Sequence, residues 1–371
     1  MDKKKILIVS RSFYPMNSPR SFRTTELAKE FARQGHEVTV LTPKKESIHK
    51  EFEEKHNLRV WDLGLPKWKA AEIKGKGIER LTRRALRRFP SLFFEYPSIE
   101  LMGMVAKKLK KTKDYDLLIS IAVPYPIHWG VARIWSENRN SNPAKLWIAD
   151  CGDPYVGREN DSFKVPFYFS WVEKWFMRKP DFITIPIETA KKGYFEEFHH
   201  KMEVIPQGFR FEDVEVQPRH NEEKVKFAYA GSFIPGRRDP REFCEFLLNQ
   251  DLDFEFYIYT QHTDMVKSYA EKSEGKIILK DYVPRSQLLY ELSSLDFMVN
   301  FENVGQAQLP SKIIDFLIID KPILSIKTGD LKEKVVHQFL SKNYKNTLQT
   351  GNRDRYRIEN VAKQFINLAD A

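Results

Sequence analysis

Ile6-Leu7-Ile8-Val9 is apolar throughout, and a polar loop, an amphipathic stretch and a second apolar run, Glu37 to Thr42, follow it. An unbroken apolar run of this length is how a strand buried on both faces reads. In the stretch between, Phe22, Leu27, Ala28, Phe31 and Ala32 share one helical face, and Gly35 stands where a helix would stop. Strand, helix and strand in this order make a βαβ unit, which commits the chain to a parallel, Rossmann-like sheet. The alternation restarts at Lys226 to Ala230 and runs to Ile326. A charged, weakly hydrophobic stretch, Glu212 to Lys224, separates the two halves as a linker would. A chain of 371 residues is long enough for a core in each half.

Composition narrows the class. Hydrophobic residues make up 42% and charged residues 30%, as in a globular protein. No apolar run is long enough to cross a membrane, and the N-terminal run is too short for the core of a secretory signal. Cys151 and Cys244 are the only cysteines, so neither a disulfide framework nor a zinc set is expected, and a cytoplasmic location fits. No Gly-x-Gly-x-x-Gly follows the first strand, which argues against a nicotinamide or flavin dinucleotide site there.

The net charge of +10 is concentrated. Lys67 to Arg88 holds nine basic and two acidic residues, and Arg80, Arg83, Arg84, Arg87 and Arg88 recur at helical spacing among Ile78, Leu81, Ala85 and Leu86, before Phe89-Pro90-Ser91-Leu92-Phe93-Phe94. Two readings of residues 67–94 stand: a peripheral contact with an anionic membrane surface at the inner face of the cell membrane, or the solvated face of a structural helix. The aromatic run 163–178 reads by default as core, on the helical spacing of Phe167, Trp171 and Trp175. No zinc-finger, helix-turn-helix or aromatic RNA-binding signature is visible, so no nucleic-acid partner is expected.

Polar residues at the carboxyl ends of parallel strands are where α/β folds hold ligands. In the first half these are His128, after the strand Asp116 to Ile121, and Asp150 and Asp153, after the strand Leu146 to Asp150. Asp150 either orients His128 or binds a sugar hydroxyl. His128 is either a catalytic base or structural, and Asp153-Pro154 either lines a site or starts a turn. Arg20 and Arg23 either meet an anionic acceptor or cap surface structure. In the second half the loop Ala230 to Pro240 carries Gly231 and Gly236, which let backbone approach a ligand, and Arg237 and Arg238, which suit phosphate. Residues 296–326 read strand, polar loop, helix start and strand, with Ser311 as N-cap after Pro310 and Asp315 in the first turn.

The string Pro310-Ser311-Lys312-x-x-Asp315-Phe316-Leu317, followed by Lys321-Pro322-Ile323-Leu324, resembles the donor-site segment of GT-B glycosyltransferases, most closely the retaining, glycogen-synthase-like group that builds bacterial surface polysaccharides. The likeness extends over nearly the whole chain. Asp150-x-x-Asp153-Pro154-Tyr155 is similar to the Asp-x-x-Asp-Pro-Trp string of some such enzymes. The resemblance implies two Rossmann-like α/β domains facing a cleft, an acceptor-side domain at 1–210, a nucleotide-sugar domain at 211–350, and a C-terminal helix at 351–371 that returns to the first domain. It implies a hexosyltransferase that moves sugar from a UDP- or GDP-sugar to a lipid-linked or saccharide acceptor, with retention of configuration. Arg237, Arg238 and Lys312 would neutralise the departing diphosphate, Asp315 would hold ribose hydroxyls, and the Tyr282-Val283 loop would lie against the base. Gly231, Ser232, Pro310 and Ser311 would complete the donor site, with Arg20, Arg23 and Asp153 on the acceptor side. No cofactor or metal beyond the nucleotide-sugar substrate is implied. The chain departs from the family pattern at Ser232 and Ala307, and Asp315 stands where the family more often has glutamate. The competing readings are a nucleotide-sugar epimerase of the same fold and a non-catalytic basic protein that binds membrane or nucleic acid.

Overall fold

A computed structural model describes residues 2–69, 77–157, 163–218, 223–302 and 311–370; of Leu81, Ala85, Ser311, Lys312 and residues 77–80 it describes the backbone only. The chain divides into two compact units, one made of residues 1–209 and 355–371, the other of residues 210–354.

In the first unit the chain runs β1 (Lys5–Ser10), α1 (Pro19–Arg33), β2 (Glu37–Thr42), α2 (Glu46–His56), β3 (Arg59–Asp62), α3 (Gly77–Phe94), α4 (Glu100–Leu109), β4 (Tyr115–Ile121), α5 (Pro126–Ala132), β5 (Ala144–Asp150), α6 (Phe169–Met177), β6 (Phe182–Ile185) and β7 (Met202–Val204). The second unit runs β8 (Val225–Ala230), α7 (Arg241–Leu248), β9 (Phe254–Tyr259), α8 (Lys267–Lys272), β10 (Ile277–Lys280), α9 (Arg285–Ser293), β11 (Phe297–Phe301), α10 (Ser311–Ile318), β12 (Ile323–Ile326) and α11 (Glu333–Leu340); α12 (Ile358–Asp370) rejoins the first unit.

Among the described residues the first unit's strands form a parallel sheet of order β3-β2-β1-β4-β5-β6-β7, and the second unit's a parallel sheet of order β10-β9-β8-β11-β12. Strand order reverses between β1 and β4 in one and between β8 and β11 in the other. Successive side chains of a strand point to opposite faces. Leu7 and Val9 therefore enter one core with α4 and α5, while Ile6 and Ile8 enter another with α1 and α12. Each such fully buried aliphatic side chain contributes about 1.5–3 kcal/mol.

Local signals explain the helix ends. Ser18 caps α1, its Oγ accepting from the Ser21 N–H at 3.3 Å, with Pro19 at the first helical position. Gly35, at φ +86°, closes it: the Gly35 and His36 amides donate to the Ala32 and Phe31 carbonyls, both at 3.0 Å. The C-terminal helix packs back on the first unit as expected, with Ile358, Val361, Phe365 and Ile366 buried in the core that holds Phe31 and Ala28.

The reading of the aromatic run 163–178 as core holds for Tyr168, Phe169, Trp175 and Phe176 and is corrected for Phe163, Phe167 and Trp171. The inner stripe of α6 is Phe169, Glu173, Phe176 and Met177, which leaves Phe163, Phe167 and Trp171 on the solvent side. Among the described residues no helix is long and apolar enough to cross a membrane.

Candidate active site

The first unit brings its expected residues together, but three of them close on one another. Asp150, at the end of β5, is buried, and Arg23 of α1 grips it with two hydrogen bonds, Nε to Oδ2 at 3.0 Å and Nη2 to Oδ1 at 2.8 Å. Thr184 Oγ1 donates to the same carboxylate at 2.7 Å, and Arg20 Nη1 lies 3.8 Å from Oδ2. The rest of the Arg23 guanidinium donates to the Pro206 carbonyl and, at 3.1 Å, to that of Ile205. Burial alone would raise the Asp150 carboxyl, but the charge and hydrogen bonds of Arg23, with Arg20 and Thr184, outweigh it and hold the group below the usual carboxylate range. Asp150 and Arg23 are thus a buried, saturated ion pair that joins α1, β5 and the chain after β7. This corrects both the catalytic assignment of Asp150 and the acceptor-side assignment of Arg23.

His128 is corrected as well. Its ring is fully buried in the core, stacked on Phe176 with 5.0 Å between centroids. Nδ1 lies 2.7 Å from Ser120 Oγ, which also accepts from the Trp147 indole at 2.8 Å, and Nε2 lies 3.5 Å from Cys151 Sγ. Burial pushes the imidazole down to about 3, with Arg20 adding to that and Asp150 opposing it. The ring is therefore held neutral at pH 7 and away from solvent. Asp153 is half-buried, and its carbonyl accepts from the Tyr125 hydroxyl at 2.7 Å. Arg20 is half-buried, its guanidinium lying against Gly152 so closely that a Cβ there would collide with it.

A cavity of about 440 Å³ lies in this unit at the point where strand order reverses. Its walls come from the loops after β1 (Arg11, Ser12, Ser18) and β4 (Val123, Pro124), from α3 (Arg88, Ser91, Leu92), and from Val165. Sequence reasoning missed Arg11 and Ser12, although the strand-end rule points to them.

The second unit holds a cavity of about 310 Å³ at the carboxyl ends of its strands. Gly231 and Ser232 after β8, Tyr282 and Val283 after β10, and Asp315 of α10 all line it, so five expected residues from three segments meet in one pocket. Tyr259, Thr260 and Gln261, at the end of β9, complete the wall and were missed, though they too follow a parallel strand. Arg285, at the start of α9, donates to Asp315 Oδ1 from Nε at 3.0 Å and also from Nη2, so this carboxylate carries its own counter-charge. Tyr282 lines the pocket while 60% exposed, an orientation open to stacking.

Arg237 and Arg238 extend from the same loop but are not among the pocket's walls. Gly236, at φ +70°, turns the loop, and Asp239 Oδ2 accepts from its amide at 3.1 Å. Hydrogen bonds from Arg241, with those from the Gly236 and Arg241 amides, bring the Asp239 carboxyl down to about 2, so Asp239 stays ionised and fixes the turn. Thr328 pins the loop from the other side, donating to the Arg237 carbonyl and accepting from the Asp239 amide at 3.2 Å. The Arg237 side chain is exposed, and Arg238 Nε is buried with no hydrogen-bond partner. Pro310 and Ala307 lie outside the described residues, as do the side chains of Ser311 and Lys312.

Two parallel α/β units, each with a cavity at the carboxyl ends of its strands, and a chain that returns to the first unit through its last helix, make up the GT-B architecture. The sequence model of Glycosyltransferase Family 4 matches residues 22–212, and the chain belongs to that family. No curated protein sequence matches it. Solved structures similar in fold include TarM (TM-score 0.64, 11% identity, 99% of each chain covered) and WaaB, a lipopolysaccharide outer core galactosyltransferase (TM-score 0.58, 11% identity, 98% of each chain). A third is Anabaena HepE in complex with UDP-glucose (TM-score 0.59, 10% identity, 98% of this chain and 99% of that one).

Proposed function

We propose that this glycosyltransferase takes its sugar from a UDP- or GDP-sugar bound in the second unit and passes it to a lipid-linked or saccharide acceptor in bacterial surface polysaccharide synthesis. The observation that carries this reading is the second unit's pocket. Gly231, Ser232, Tyr282, Val283 and Asp315 converge there at the carboxyl edge of a parallel sheet, with an exposed aromatic ring suited to a base. HepE, similar in fold, was solved with UDP-glucose, which supports the donor class.

In this reading the bond between the anomeric carbon and the β-phosphate oxygen breaks while an acceptor hydroxyl attacks on the same face, giving retention. The departing phosphate takes the hydroxyl proton. Arg237, Arg238 and Lys312 offset the charge that grows on the diphosphate, so no metal is required. Asp315, oriented by Arg285, accepts from ribose hydroxyls, and Pro310 and Ser311 belong to the same donor segment. On the acceptor side, Arg11 and Arg88 at the first unit's cavity, with Arg20 and Asp153, replace the Arg23 expected from sequence. The reaction takes place in the cytoplasm at the inner face of the membrane.

A thermal-shift screen of the full chain against UDP- and GDP-sugars tests the donor assignment. A tenfold excess over Kd raises stability by about 1.4 kcal/mol. No shift with any nucleotide sugar at millimolar concentration contradicts it.

A further inference from the structure

Two elements of the first unit put large apolar side chains into solvent side by side. Leu86, Phe89 and Phe94 project from α3, and Phe163, Phe167 and Trp171 from residues 163–171, which run into the first turn of α6; their exposures run from 58% at Phe89 to 76% at Phe167. The two elements touch. The Arg88 guanidinium lies 5.8 Å from the Phe163 ring centroid, and the Tyr168 hydroxyl donates to the Phe93 carbonyl. Trp171 packs edge-on against Phe167 at 5.6 Å, so the rings form a supported cluster rather than scattered side chains. Arg84 and Arg87 are exposed on the same helix, and Lys164 on the other segment.

Apolar groups this exposed and this close mark a surface that something covers. The charge chooses the occupant. Arginines beside protruding aromatic rings on a helix surface suit an interface where rings enter the acyl boundary and guanidinium groups remain among phosphates. We propose that α3 and residues 163–171 together form a docking face for an anionic lipid bilayer. The aromatic segment is half of this face, and it was read from spacing as core. Arg88, Leu92 and Val165 of the same two elements also wall the 440 Å³ cavity, so docking brings that cavity to the headgroup layer, where a lipid-borne acceptor enters it. That last step rests on the acceptor reading above; the docking does not.

Co-sedimentation of the full chain with vesicles tests the face. Binding is expected to phosphatidylcholine vesicles containing phosphatidylglycerol and not to phosphatidylcholine alone, and to weaken with salt. Replacing two cations, Arg84→Gln with Arg87→Gln, weakens it about 30-fold at roughly fivefold per charge. Phe167→Ser with Trp171→Ser weakens it by about tenfold or more while the salt dependence remains. Circular dichroism and urea denaturation of the same preparations show that the variants are folded, and nucleotide-sugar thermal shifts are read alongside. Equal binding to both vesicle types, no binding to either, or loss-free binding by the Phe167/Trp171 variant overturns the proposal. So does a wild-type dimer that this variant dissociates, since the cover is then a second copy. Vesicle binding without any nucleotide-sugar shift refutes the donor reading and leaves the docking face standing.

Discussion

The two strand-reversal points of this enzyme hold the same kinds of residue and use them differently. In the first unit the carboxylate at the end of β5 and the nearest arginine, Arg23, are buried against each other, with the remaining donors spent on carbonyls. In the second unit the polar residues after β8, β9 and β10 line an open pocket of about 310 Å³. A guanidinium at a strand end is thus no guide to ligand binding until its partners are known. Arg23 is spent on Asp150 and two carbonyls, while the Nε of Arg238 is buried with no hydrogen-bond partner.

Substitutions separate these roles, and the first unit gives the largest effect on stability. Arg23→Ala strands a buried carboxylate, and breaking one side of such a pair costs about 3–5 kcal/mol. Urea denaturation reads this directly, and a loss under about 1 kcal/mol would show the pair to be dispensable. Arg237→Ala is the converse: its exposed side chain predicts an unchanged denaturation midpoint and a fall in sugar transfer of about 10²–10³ or more, by analogy with removing one oxyanion donor. Normal turnover by that variant removes Arg237 from the site.

His128 sharpens the contrast by its pH dependence. Its folded-state titration lies at about 3, against about 6.5 for an unperturbed imidazole. Both states are neutral above that range, so its contribution is fully present at pH 7. As pH falls below about 6.5 the unfolded chain gains a proton that the folded core refuses, and stability drops by about 1.4 kcal/mol per pH unit, until the folded group titrates near 3. Denaturation at pH 7 and pH 5 is expected to show this slope in the wild type and a shallower one in His128→Gln. Parallel slopes would mean that the ring is not held neutral. The smallest effect belongs to Tyr282→Ala, which should weaken nucleotide-sugar binding by about 1–3 kcal/mol, the range of one base–aromatic stack, without changing stability.

Much of this was legible in the chain. The buried run Ile6–Val9 and its alternation with helices specified parallel sheets, Gly35 specified the end of α1, and the family resemblance implied the C-terminal helix that returns to the first unit. The gathering of Gly231, Tyr282 and Asp315 followed from a segment similarity rather than from spacing. What spacing could not show were side-chain partners set by tertiary contact. Arg23 and Asp150 are 127 residues apart, and nothing local links them. His128 could be read as a base or as structural from its place after a strand, and the Ser120 hydroxyl and the Phe176 ring that enclose it decide for the structural role. Phe167, just before α6, and Trp171, within it, stand at a helical spacing that could have been core; Phe169 and Phe176, packed against Tyr155 and His128, decided which side faces in.

The central claim is that the donor lies in the second unit's pocket and not at the first unit's cations. Isothermal titration of a UDP- or GDP-sugar into wild type, Ser232→Trp and Arg11→Ala tests it most directly. Ser232 is exposed and lines the pocket, so the indole fills the site without disturbing a core. The prediction is one saturable site, abolished by Ser232→Trp and unaltered by Arg11→Ala. Binding that survives Ser232→Trp and disappears with Arg11→Ala would contradict it.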